Sequence, residues 1–92
     1  MVFRFTIKLR LLDKIFTRIV RFPVLPCSGM NLSLWVGELG YQDFKVEEVT
    51  IVESNVEDET FVATIQLVPP PVDERAKFIS SLSQDKAWRR QR

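Results

Sequence analysis

No histidine occurs among the 92 residues of this chain. That removes the side chain most often used as a general base near neutral pH, the Ser–His and Cys–His nucleophile pairs, and the commonest metal ligand. Cys27 is the only cysteine, so an intramolecular disulfide and a thiolate zinc site built by one chain are both excluded. The three glycines, Gly29, Gly37 and Gly40, are too sparse for a phosphate-cradling loop, and none leads into a Lys-Ser/Thr pair. No apolar run approaches the length of about eighteen residues that a membrane span needs. Val24-Leu25-Pro26-Cys27 has the outline of a lipoprotein cleavage box, but Arg18 and Arg21 interrupt the apolar stretch it would require. The basic N-terminus is poor in acids, as a presequence would be, yet it alternates like a strand and lacks serine before Ser28. The expected setting is therefore cytoplasmic, with no membrane contact.

What is present suits one small domain. The chain is 46% apolar, and seven Phe, two Trp and one Tyr suffice for a single core. Its net charge of +1 conceals a segregated layout. Residues 1–22 carry +5, from Arg4, Lys8, Arg10, Lys14, Arg18 and Arg21 against Asp13. Residues 23–74 carry −9, with Lys45 their only base, and residues 75–92 carry +5 again. Such asymmetry suits a nucleic-acid or membrane contact or a polar partner interface, unless the basic ends neutralise the acidic centre within one fold.

The first element is a strand. Phe3, Phe5, Ile7 and Leu9 alternate with Arg4, Thr6, Lys8 and Arg10, giving an apolar face and a basic face. Residues 11–21 fit two patterns. Leu11, Leu12, Ile15, Phe16, Ile19 and Val20 share one side of a helix, but the β-branched and aromatic content of 15–22 favours a strand after a turn near Asp13. Pro23 and Pro26 end it, and Met30, Leu32 and Leu34 mark a third strand reaching Val36. Phe44 and Val46 then alternate, whereas Val49 and Ile51 alternate with the opposite parity, which requires a β-bulge at Glu47-Glu48. A polar loop over 53–59 leads to a strand with Phe61, Ala63, Ile65 and Leu67 on one face. After the prolines 69–71 a helix is expected from about Asp73, its N-cap, with Ala76, Phe78, Ile79 and Leu82 as the apolar stripe.

The chain thus reads as mainly β: a small curved antiparallel sheet or partly open five-stranded barrel, SH3-like or OB-like in architecture, with a C-terminal helix. The alternative is an α+β fold with a helix at 11–21. Residues 1–82 form the single domain in this reading, and residues 83–92 a basic tail.

Chemistry-bearing clusters are few. Glu47-Glu48 lies on a strand whose successive side chains diverge, and Glu57-Asp58-Glu59 sits on a loop without the ligand spacing of a cation site. Cys27 has no histidine to activate it and reads as a small, buried or half-buried residue. No catalytic residue, metal ligand, cofactor site or small-molecule substrate is expected, and the chain reads as a non-enzyme.

The candidate interaction surface comprises Arg4, Lys8, Arg10, Arg18, Arg21, Trp35, Trp88, Arg89 and Arg90. Trp88 among arginines has the composition of a binding hot spot, although the same residue can anchor a terminus on its own domain. The function expected is a non-catalytic interaction or structural module that uses polarised charged surfaces for a protein partner or for self-association. The alternative is a single-stranded nucleic-acid-binding barrel, with Trp35 or Tyr41 as a stacking platform beside the basic stripe.

Overall fold

A computed structural model describes residues 2–53 and 61–91. The fold is mainly β. Its strands are β1 (Phe3–Leu11), β2 (Lys14–Phe22), β3 (Asn31–Trp35), β4 (Tyr41–Glu53), β5 (Phe61–Leu67) and β6 (Arg89–Gln91), with one helix, α1 (Arg75–Gln84). The strands form one sheet in the order β3-β4-β5-β1-β2-β6. The ambiguous stretch at 11–21 is strand, as its β-branched residues favour.

Two features depart from a five-stranded antiparallel sheet. The β1–β5 pair is parallel, with Phe5 opposite Ala63 and Ile7 opposite Ile65, so the sheet is mixed. Residues 89–91 add a sixth strand to the lower edge of β2. Periodicity assigns each strand its faces but carries no information about strand order, which is why neither feature is visible in it.

β1 and β2 meet through a two-residue turn, with Leu11 opposite Lys14. Leu12 takes a φ of 57°, a left-handed conformation that such a hairpin imposes on a residue poorly suited to it. In β4 the register slips between Val46 and Glu48, leaving Glu47 as the bulged residue. The bulge returns Val49 to the core side, opposite Ile65. Ile51, expected beside it in the core, stays 55% exposed because α1 packs over β1 and residues 37–39 instead of this end of the hairpin.

The sheet curls around its apolar face. Leu32 and Leu34 from β3 share one cluster with Phe16 and Val20 from β2, although β3 and β2 stand four places apart in the strand order. At the centre of the sheet the inner face of the parallel pair is fully buried, at Ile7 and Ile65. α1 closes the open end of the core. Phe78 meets Phe44 edge-on, with ring centroids 5.8 Å apart, and Leu82 is buried beside it.

The helix start differs from expectation. Residues 72–74 form a short 3-10 turn, Glu74 occupies the N-cap, and no side chain caps the helix there. Ala76 is exposed and Ser81 takes its expected place in the buried stripe. Ser81 is accommodated because its hydroxyl donates to the Val36 carbonyl at 2.8 Å. Cys27 is exposed, a correction to its expected burial, since Pro26 and not Cys27 turns inward at this bend.

Gly37 allows that helix to approach. Its φ is 47°, and a Cβ placed there would lie 2.7 Å from the Ser81 hydroxyl and 3.1 Å from the Ser81 carbonyl oxygen. The backbone contact cannot swing aside as a long side chain would. Gly37→Ala is therefore expected to cost about 1–3 kcal/mol, from the left-handed strain and the clash together. Urea unfolding checks this, and an unchanged midpoint would contradict it.

Candidate functional site

The outer face of the sheet collects the N-terminal cations. Register places Arg4 directly opposite Arg21, Lys8 opposite Thr17, and Arg10 opposite Ile15. Thr17 in turn faces Arg89 of β6. Arg4, Lys8, Arg10, Arg21 and Arg89 thus share one uncovered face, while β5, the neighbour of β1 on the other side, contributes no charged residue. Among the described residues of the sheet, acidic side chains resume at β4, where Glu48 stands opposite Gln66. The basic strands β1, β2 and β6 are neighbours of one another, and uncharged β5 separates them from β4. Among the described residues, Lys8, Arg10 and Arg21 make no ion pair; Lys14 and Asp13 form one at 3.5 Å, next to the β1–β2 turn.

Arg18 does not join this face. It falls on the core side of β2 with Phe16 and Val20, opposite Ile7. There its guanidinium donates to the Trp35 carbonyl at 3.3 Å and lies 5.8 Å from the centre of the Trp88 ring. Trp88 is only 4% exposed, and its indole N–H donates to the same carbonyl at 3.1 Å. The structure thus takes Trp88 out of the exposed surface and makes it an anchor for β6. Arg90 follows on the core-side parity, opposite Phe16, and lines a polar recess with Asp13, Lys14 and Gln91.

Trp35 is half exposed and stands at the mouth of a cleft of about 580 Å³. The cleft lies where the curled sheet fails to close, between β2 and β3. Its walls are Arg18 to Phe22 on one side and Ser33 to Trp35 on the other, with Arg4 and Tyr41 at the rim. Five consecutive residues of β2 line it, so residues of both parities contribute. Only a strand edge presents itself in that way. Tyr41, 70% exposed, meets Trp35 edge-on with centroids 5.1 Å apart.

The cleft unites Arg4, Arg18, Arg21 and Trp35 from the expected surface. Its lining omits Lys8, Arg10, Trp88, Arg89 and Arg90, and adds Tyr41 and the β3 edge. Alternation in 31–35 and 41–45 puts Trp35 and Tyr41 on one face, but their adjacency needs the β3–β4 register. Glu57-Asp58-Glu59 lies outside the described residues, and among those described no three His, Cys, Asp or Glu side chains cluster as metal ligands would. No described helix is long and apolar enough to cross a membrane. Compared with known proteins, the chain matches no family model, no curated protein and no solved structure.

Proposed function

We propose that this protein is a non-catalytic binding module that docks an acidic protein surface on the basic half of its sheet. The observation that carries this reading is the gathering of Lys8, Arg10, Arg21 and Arg89 on one uncovered face. Lys8, Arg10 and Arg21 have no ion-pair partner among the described residues, so their charge is available to an outside anion. The sequence supports a non-catalytic role, because without histidine neither Cys27 nor the carboxylates have the partner that nucleophilic or general-base chemistry ordinarily uses.

Such contacts set orientation and association rate, and they weaken with salt. With polyglutamate as the probe, binding is expected to fall steeply between about 50 and 200 mM salt, the range in which charge-driven contacts are most sensitive. The double charge reversal Lys8→Glu/Arg21→Glu is expected to abolish it without unfolding the sheet. Affinity unchanged by either salt or reversal would overturn the reading. Sedimentation over the same salt range tests for a second copy as the partner. A dimer that dissociates as salt rises would make the chain's own acidic β4 the docked surface.

The Trp35–Tyr41 pair favours one second reading, a single-stranded nucleic acid whose bases stack at the cleft rim beside Arg4 and Arg21. Oligothymidylate binding lost on Tyr41→Ala would support it, and no binding at about 50 mM salt would dispose of it.

A further inference from the structure

We infer that the cleft between β2 and β3 is a strand-acceptor slot, which takes an extended acidic peptide of a partner protein and so completes the barrel wall. This deepens the proposed docking function and rests on it, because the basic rim supplies the charge complementarity that selects an acidic occupant.

The backbone of β3 carries the argument. Val36 donates to the Gly40 carbonyl at 2.9 Å, and Val46 donates to the Met30 carbonyl at 2.7 Å. Both bonds belong to the β3–β4 register, in which Leu34 faces Gln42 and Leu32 faces Phe44. In an antiparallel ladder, hydrogen-bonded and non-hydrogen-bonded pairs alternate. Residues 30, 32, 34 and 36 therefore point their backbone groups at β4, and Asn31, Ser33 and Trp35 point theirs away, toward the cleft. The Trp35 carbonyl confirms the direction, since it is the one that Arg18 and Trp88 reach from the β2 side.

The opposite wall is also an edge. β6 pairs with β2 only at Ile15, Phe16 and Thr17, so Arg18 to Phe22 have β1 on one side and no described strand on the other. Among the described residues, two unpaired edges thus face one cleft. At its closed end the gap is spanned by the Arg18 and Trp88 side chains, not by a ladder, so β2 and β3 stand farther apart than the roughly 4.8 Å of paired strands. An entering strand finds the backbone donor and acceptor of Ser33 and the Trp35 N–H, with those of Asn31 next along the same edge, apolar contact at Leu34, Val20 and Phe22, and guanidinium groups at Arg4, Arg18 and Arg21. Among the described residues, no acid lines the cleft. A nucleic acid has phosphates for the arginines but no alternating amides for the β3 edge, so the observations favour a peptide that adds as a strand.

The test uses the full chain and three probes at about 50 mM salt. They are a short peptide of alternating Glu and Val, the same peptide N-methylated at every Val, and oligothymidylate. The alternating peptide is expected to bind, with amide shifts concentrated at Asn31, Ser33 and Trp35. N-methylation, which keeps charge and side chains but deletes ladder donors, is expected to weaken it about tenfold or more, and so is Arg21→Glu. Equal binding of the two peptides would overturn strand addition while leaving the basic docking surface standing. Binding of oligothymidylate alone, or of none of the three, would overturn both.

Discussion

Trp88→Ala is expected to destabilise the protein by about 3–5 kcal/mol, the range for truncating a large buried aromatic. Trp88 is 4% exposed, belongs to the same apolar cluster as Phe16 and Leu34, and lies at the closed end of the cleft. The substitution removes that packing, the indole bond to the Trp35 carbonyl and the ring beneath Arg18. β6 follows immediately at Arg89 and pairs with β2 over only three residues, so its docking depends on this anchor. Trp88→Phe keeps most of the burial and loses one hydrogen bond, which is worth about 0.5–1.5 kcal/mol net. Urea unfolding of both variants measures the difference. A Trp88→Ala loss below about 1 kcal/mol would mean the side chain is not in the core, since surface changes rarely exceed about half that.

Ile65→Ala is the second large effect, at about 2–5 kcal/mol. Ile65 is fully buried and stands in register between Ile7 of β1 and Val49 of β4. It thus joins the parallel half of the sheet to the half that follows the bulge. β5 has partner strands on both sides, so a cavity at Ile65 is hard to collapse. The neighbouring outward residue Thr64 offers the control: Thr64→Ala is expected to change stability by no more than about 0.5 kcal/mol. Comparable losses at both positions would contradict the facing of β5.

Much of this architecture is written in alternation. The period-two pattern of Phe5, Ile7 and Leu9 fixes which face of β1 is buried, and the parity change between Val46 and Val49 reveals the bulge before any register is known. Strand order is not written there. That β5 slots beside β1 in parallel follows from long-range packing of Ile7 against Ile65, and no local signal encodes it. The same limit governs the site. A basic strand face was legible, and Arg4, Lys8, Arg10 and Arg21 occupy it. Arg18 reads as equally basic in sequence, yet a place on the same parity as Phe16 and Val20 commits it to the core side, where Trp35 and Trp88 satisfy it. The cleft itself arises from incomplete closure of the sheet, a property of the whole fold. Trp88 illustrates the ambiguity of composition: a tryptophan among arginines suits a hot spot or an anchor, and packing decides between them.

The openness of the sheet between β2 and β3 is the central claim, and amide hydrogen exchange in the free protein tests it most directly. Exchange of a backbone N–H is slowed when the group is held in a ladder and is fast when it faces solvent. Within β3 the amides of Leu32 and Leu34, together with Val36, are expected to be protected by β4, whereas those of Asn31, Ser33 and Trp35 exchange rapidly. Uniform protection from Asn31 to Val36 would contradict the account, because it would mean that another strand already occupies the edge assigned to the partner.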